Sequence, residues 1–259
     1  MKKHKLIVLF LSLAVASFAH ENEFSFGLSS MSMDYMEYKD NGDKADSEKA
    51  DTLPGFTLSY KTSISNGGFI DADFSQYYGN TNYVGSALNN PNGQYGDVTA
   101  TTESTISDGS IGYSEQKIYD NYLVFMRLGI GYRNWERALS DGHTEEYKWP
   151  YGTVKLGFLG NMTGNDTLGL SAEYHQAFSP QMKSNKYGTF DLGRTDGFSI
   201  IVPWEHTLSA NWALKFTYMY QTWDIKKSNT LPYQSSQIVW EPRSESNFNT
   251  FNAALVYRY

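Results

Sequence analysis

Tyr122-Leu123-Val124-Phe125-Met126-Arg127-Leu128-Gly129-Ile130-Gly131-Tyr132-Arg133 decides the fold. Successive side chains of a strand point to opposite faces, so Tyr122, Val124, Met126, Leu128, Ile130 and Tyr132 form one apolar face. The other face carries Arg127, Gly129, Gly131 and Arg133. An arginine in lipid costs roughly 2–4 kcal/mol near the bilayer midplane, so the even face is the one a membrane strand exposes. The odd face then lines an interior.

The same alternation recurs in segments of about ten residues, as transmembrane barrels require. It predicts ten strands in an all-β, antiparallel, up-and-down transmembrane barrel, with eight strands and longer loops as the alternative. The first runs from Glu23 to Tyr38 with Phe24, Phe26 and Leu28 outward; its apolar phase then shifts to Met31, Met33 and Tyr35, which predicts a bulge. Gly55 to Ser65 exposes Phe56, Leu58, Tyr60 and Ile64. The Asn66-Gly67-Gly68 turn follows, and the third strand shows Ile70, Ala72 and Phe74. A Gly- and Ser-rich fourth strand spans Thr105 to Ser114. Val154, Leu156 and Phe158 mark the sixth, Leu168, Leu170, Ala172 and Tyr174 the seventh, and Phe198, Ile200, Val202 and Trp204 the eighth. Trp212, Leu214, Phe216, Tyr218 and Tyr220 mark the ninth.

The chain ends on Phe251-Asn252-Ala253-Ala254-Leu255-Val256-Tyr257-Arg258-Tyr259. Phe251, Leu255, Tyr257 and Tyr259 share a face, and this alternating segment with a terminal aromatic resembles the assembly signal of Gram-negative outer-membrane barrels. The resemblance implies recognition by the barrel assembly machinery. At the other end, three lysines within Met1 to Lys5, an apolar run from Leu6 to Val15 and small residues at Ser17 and Ala19 predict a cleaved signal peptide over 1–19, leaving a barrel over 20–259. A ten-residue apolar helix would reach only ~15 Å of the ~30 Å of hydrocarbon. The expected location is the outer membrane, among phospholipid and lipopolysaccharide.

Composition narrows the function. All 28 acids follow Ala19 while three of the 21 Lys and Arg precede it, so the exported chain carries ten more acids than bases. Nucleic acid is not an expected partner. There is no cysteine, which removes disulfides, thiolate catalysis and lipid attachment through sulfur. No cofactor and no metal are expected: the acidic stretch Lys39 to Lys49 lacks the alternating spacing of a calcium loop and reads as a solvated, charged loop.

Connections alternate in length. Asn66–Gly68, Gln116–Asn121, Asn161–Asp166 and Glu205–Asn211 are short and predict the periplasmic side. Those spanning 39–54, 79–104, 135–149, 179–195 and 224–247 are long and predict extracellular loops, where an unidentified ligand would bind. Tyr78, Trp135, Trp149, Tyr151, Tyr220 and Trp223 toward that side, with Tyr122, Trp204, Trp212 and Tyr257 toward the other, fit interfacial anchoring or, at the rim, a carbohydrate-binding surface.

The inward phase predicts a charged lumen of Lys61, Asp71, Asp73, Arg127, Arg133, Lys155, Glu173, His175, Glu205, Lys215 and Arg258. A salt-bridged plug and a thin polar conduit are both compatible with it. Ser171, Glu173 and His175 form S-x-E-x-H on that face as candidate nucleophile, acid and base, but alternate residues sit roughly 6–7 Å apart, too far for a direct relay. His143 and His206 show no carboxylate partner in sequence.

The ten-strand layout, with Tyr147-Lys148-Trp149-Pro150-Tyr151 leading into the sixth strand and Gln221-Thr222-Trp223-Asp224-Ile225-Lys226-Lys227-Ser228-Asn229 leaving the ninth, resembles that of the omptins. That resemblance implies an outer-membrane protease with a rim groove built from an Asp-x-Asp pair facing an Asp-x-His pair. Those motifs are not in place: Asp71-Ala72-Asp73 follows a short turn, Glu173-Tyr174-His175 replaces Asp by Glu inside a strand, and Ser179 to Lys186 carries neither. Lipid A modifying barrels need a Ser and His set at a lipid-facing opening, which only Ser171 and His175 could supply, and they face inward. The sequence therefore points to a non-enzymatic barrel, monomeric or weakly oligomeric, whose loops engage surface partners; protease, lipid A modifying enzyme and narrow channel are the alternatives.

Overall fold

A computed structural model describes residues 22–86, 94–139, 142–233 and 237–259. The expected signal peptide lies outside them. Fourteen strands form: β1 (Asn22–Tyr38), β2 (Lys44–Ser65), β3 (Gly68–Gly85), β4 (Val98–Tyr119), β5 (Tyr122–Ala138), β6 (Thr144–Asn161), β7 (Asp166–Ala177), β8 (Gln181–Ser184), β9 (Gly188–Asp191), β10 (Thr195–Thr207), β11 (Trp212–Ile225), β12 (Thr230–Tyr233), β13 (Gln237–Trp240) and β14 (Arg243–Arg258). The order β5-β4-β3-β2-β1-β14-β11-β10-β7-β6, with β5 paired back to β6, closes a ten-strand antiparallel barrel. The eight-strand alternative is corrected: the Gly- and Ser-rich fourth strand is among the longest, running from Val98 to Tyr119.

The outward face carries the expected apolar band. Leu28, Met126, Ile130, Leu156, Phe216 and Phe251 are all more than 40 % exposed, which is stable only against hydrocarbon. Tyr122, Trp212, Tyr257 and Tyr259 ring the end that carries the short turns. There Gly67, with φ of 86°, lets the chain reverse between β2 and β3.

The other end departs from expectation. Most of each long connection is strand: β2 begins at Lys44, β3 continues to Gly85, and β5 and β6 nearly meet at Ala138 and Thr144. Twenty-two residues of β2 at ~3.3 Å each and a ~40° tilt rise roughly 55 Å, about twice the ~25 Å apolar band. These extensions are not marked by the membrane alternation because, past the band, the outer face meets water and the pattern inverts. Across β7, β10 and β11 the wall is lower, and the β8–β9 hairpin completes it by pairing with the upper end of β6.

The shift at Met31 is therefore not a bulge in β1. Its odd residues point inward throughout, and its pairing with β14 runs unbroken from Glu23 to Tyr38. The irregularity is in β2, where Met31 faces Leu53 but Met33 faces Ala50. Met31, Met33 and Tyr35 are apolar because the interior beside them is apolar.

Candidate functional site

The interior has two storeys. In the lower one, within the band, Arg127 on β5 is the hub. It pairs with Asp71, lies 3.5 Å from Asp73 and 3.6 Å from Glu173, and donates to Ser110 Oγ at 3.1 Å. Lys155 meets Glu173 at 3.1 Å, and Arg258 bridges Glu23 and Glu205 near the short-turn rim. Lys61 sits over the ring of Phe69, 4.1 Å from its centroid, and Lys215 shares the chamber with Glu23 and Lys61. A cavity of about 370 Å³ opens this storey at the short-turn end, bordered by Glu23, Lys61, Phe69 and Arg258. Asp73 keeps 53 % of its side chain exposed inside the wall, so this storey has room for water.

The candidate triad does not assemble. Glu173 accepts from Thr153 Oγ1 at 2.5 Å and pairs with Lys155. His175 Nε2 contacts Ser199 Oγ at 3.0 Å, while Ser171 packs against Gly157. Rings of Tyr151 and Trp223 cover His175 at 5.4 and 5.2 Å. Arg133 extends the chain upward, from Asp108 at 3.1 Å to Gln221 at 2.7 Å, and Gln221 reaches Ser199. Gly131 opposite Tyr151 lets that ring lie across β5 and reach Asp108; a Cβ there would come within 2.3 Å of the ring.

Above the band the interior becomes a packed core. Trp135, Trp149, Tyr151 and Trp223, expected as interfacial anchors, are at most 4 % exposed inside the barrel, where Trp135 packs with Tyr35 and Tyr147, and Trp149 and Tyr151 pack against Trp223. Their place in a loop-side sequence concealed them, since an inward aromatic above the membrane and an outward one at its surface look alike there.

Within this core lies a cluster that sequence reading missed. Arg137, 1 % exposed, donates Nε to Glu48 at 2.6 Å and Nη1 to Glu145 at 2.9 Å, with Glu37 at 3.5 Å. Glu48 also accepts from Thr81 and Ser104 at 2.5 and 2.6 Å, and Tyr147 donates to Glu241. Asp46 faces Glu37 and takes a hydrogen bond from Tyr83. Five carboxyls thus gather near one guanidinium, which pairs with three of them, Glu37, Glu48 and Glu145. Burial raises the pKa of Glu37, Glu145, Glu241 and Asp46 above the ordinary carboxylate range, with Arg137 pulling the other way. Burial also opposes charge on Arg137, but Glu48 and Glu145 hold it protonated. The stretch expected as a solvated loop, Lys39 to Lys49, contributes Asp46 and Glu48 to this interior instead.

Both connection histidines have partners. His143 Nε2 is 2.9 Å from Ser184 Oγ and 3.4 Å from Glu145, and burial lowers its pKa. Ser184 Oγ accepts from the amides of Lys186 and Tyr187, so it is engaged in the β8–β9 turn. His206 Nδ1 meets Asp166 at 2.8 Å on the outer wall. Phe251, Leu255, Tyr257 and Tyr259 all face outward. No cluster of His, Cys, Asp and Glu among the described residues has metal-binding geometry.

Comparison with solved structures finds the outer membrane protease OmpT from Escherichia coli at a TM-score of 0.65 and 14% identity, over 95% of this chain and 99% of that one. OprG, an outer membrane protein from Pseudomonas aeruginosa, aligns at 0.45 with 8% identity over 93% of this chain and 96% of its own. Ail, the attachment invasion locus protein of Yersinia pestis, aligns at 0.37 with 11% identity over 93% and 100%. No protein-family model matches the chain, and no curated protein matches it. The likeness to OmpT, at 14% identity, concerns architecture, and it agrees with the closed wall and exposed apolar band: the chain is a ten-strand antiparallel β-barrel of the outer-membrane kind.

Proposed function

We propose that this protein is a non-enzymatic outer-membrane barrel that carries a packed head above the bilayer and presents its loops for surface interaction. The signal peptide delivers it to the periplasm, the assembly machinery inserts it, and the short turns stay on the periplasmic side. Lipid and lipopolysaccharide surround the band. The observation that supports this reading is the filled upper storey: Trp135, Trp149, Trp223, Tyr35, Tyr147 and Leu53 are each no more than 1 % exposed. A core packed that way argues against a conduit through the described interior, and its stiffness suits a platform for the tips.

The tips carry the candidate contacts. The β12–β13 hairpin forms a separate two-stranded sheet and exposes Ile238 and Trp240. Bacteria displaying the wild-type protein should adhere to epithelial monolayers or autoaggregate more than those displaying a version with residues 230–240 replaced by a Gly-Ser turn. Equal adherence at equal surface amounts overturns the proposal, as does bilayer conductance above background.

One arrangement favours a second reading. His175 and Ser199 are in hydrogen-bond contact with Glu173 nearby, a set that hydrolysis could use if Trp223 and Tyr151 were displaced. Peptide or lipopolysaccharide turnover that disappears in His175→Ala would establish that reading in place of the first.

A further inference from the structure

The outer wall bears a feature that a uniform lipid-facing surface would not have. Register places Trp204, Phe216, Ala253 and Leu28 in one row across β10, β11, β14 and β1. Val202, Tyr218, Phe251 and Ser30 form the next row toward the loops. Between large neighbours, Ala253 and Ser30 leave a notch, and a groove of about 490 Å³ results, its lining mostly apolar. Along a strand, rows lie ~6.6 Å apart, or roughly 5 Å in height at a ~40° tilt. Trp212, Tyr257 and Phe24 occupy the row two below Trp204, so the groove spans the half of the bilayer next to the periplasm.

At its periplasmic end the wall becomes polar. His206 continues the outward phase of β10 one row below Trp204, and Asp166 lies opposite it on β7. Nδ1 of His206 is 2.8 Å from Asp166, whose other oxygen accepts from Thr163 at 2.5 Å. The Trp204 and His206 rings are stacked, 6.1 Å apart, so one side chain touches both the groove and the pair. His206 keeps 37 % of its side chain exposed, and Nδ1 bound to Asp166 leaves Nε2 facing outward. A carboxylate and an imidazole on the lipid side of a barrel are costly in hydrocarbon and well placed at headgroup depth.

We infer that this wall binds one phospholipid of the periplasmic leaflet, an acyl chain lying in the Ala253 groove and a zwitterionic ethanolamine headgroup meeting the Asp166–His206 pair. The ammonium approaches the Asp166 carboxylate, which has lone-pair capacity to spare, and the phosphate accepts from Nε2–H of His206 in its imidazolium form, Nδ1–H staying on Asp166. A phosphatidylglycerol headgroup offers no cation to Asp166. This inference rests on the membrane reading above, and the test separates the two.

Delipidated protein in detergent is titrated with phosphatidylethanolamine or phosphatidylglycerol and followed by native mass spectrometry. Wild type should show one saturable phosphatidylethanolamine adduct, favoured over phosphatidylglycerol. Ala253→Phe and, separately, Ser30→Phe fill the notch from outside the barrel, and each should cut that occupancy at least tenfold. Asp166→Asn should keep binding and lose the headgroup preference. Adduct ladders identical in wild type and both notch variants overturn the site, and a preference surviving Asp166→Asn overturns the headgroup assignment. Heat-modifiable electrophoretic mobility, read on the same samples, reports whether the barrel is intact, so a failed lipid site is distinguished from a failed membrane reading.

Discussion

The two storeys of the interior solve the same packing problem with opposite materials. Below, a narrow cylinder in hydrocarbon holds paired charges with room for water; above, where the outer face is wet, the inner face is aromatic and dry. Outside the upper storey Lys49 pairs with Asp34 and Lys148 with Glu146, while inside it Trp135 and Tyr147 stack. The lower storey is stabilised by the membrane around it. The upper must be stabilised by its own core, as a soluble β-protein is. If so, damage to the upper interior should be severe and local, and damage to the lower interior should be softened by water.

The largest effect is expected at Arg137. Arg137→Met leaves Glu48, fully buried, and Glu145 without their cation, and breaking a buried pair costs about 3–5 kcal/mol. In urea the near-ultraviolet circular dichroism of the stacked tryptophans should collapse first, with the barrel still heat-modifiable. Simultaneous loss of both signals would mean that the storeys are one cooperative unit. Trp223→Ala should cost about 3 kcal/mol because it opens a cavity under Trp149, Tyr151 and His175. Trp212→Ala, at the outer girdle, should cost well under half of that by the same unfolding measurement.

Acidity bears on the upper storey through its carboxyls. Glu37, Asp46, Glu145 and Glu241 have folded-state pKa values above their unfolded ones, so the folded head holds protons that the unfolded chain gives up. The stability linked to those protons is complete below the ordinary values, 4.5 for the glutamates and 3.8 for Asp46, and is lost as pH rises through the folded values. Each unit of difference corresponds to about 1.4 kcal/mol. Hydrogen exchange of β2, β5 and β6 above the band should accelerate from pH 5 to pH 9 beyond the intrinsic chemical rate, and Glu241→Gln should flatten that dependence. Equal protection at both pH values would show that the cluster carries no excess protons.

What the sequence conveyed follows the same division. In the lower storey a fixed rule, apolar outward and polar inward, made Arg127, Glu173 and Lys155 readable as interior residues. Beyond the band the rule reverses without any change in strand geometry, so Trp149 and Trp223 read as membrane anchors and Asp46 and Glu48 as solvated loop. The pairing of Arg137 with Glu48 joins positions 89 residues apart, and only closure of the sheet brings them together. His143 and His206 found their partners the same way, across neighbouring strands. A period-2 pattern specifies which side a residue takes, not what lies on that side.

Within the lower storey, Arg127→Met should cost less than its upper counterpart, roughly 1–3 kcal/mol. The charges it abandons, Asp73 above all with 53 % of its side chain exposed, have room to be hydrated. Unfolding by urea in lipid vesicles gives the number, and a loss equal to that of Arg137→Met would remove the distinction between wet and dry storeys.

The smallest effect belongs to the outer face of the head. Lys49 and Asp34 are joined at 2.8 Å but remain 53 % and 45 % exposed, so solvent and salt screen the pair. Lys49→Ala should shift stability by no more than about 0.5 kcal/mol, and that shift should vanish in high salt. The comparison is sharp because Lys49 and Glu48 are neighbours on β2 pointing to opposite sides of one wall. Glu48→Ala strips Arg137 of its closest carboxylate, and the same urea series should show it several times more damaging. Comparable losses at positions 48 and 49 would mean that the head has no dry interior, and the platform proposed for the loops would go with it.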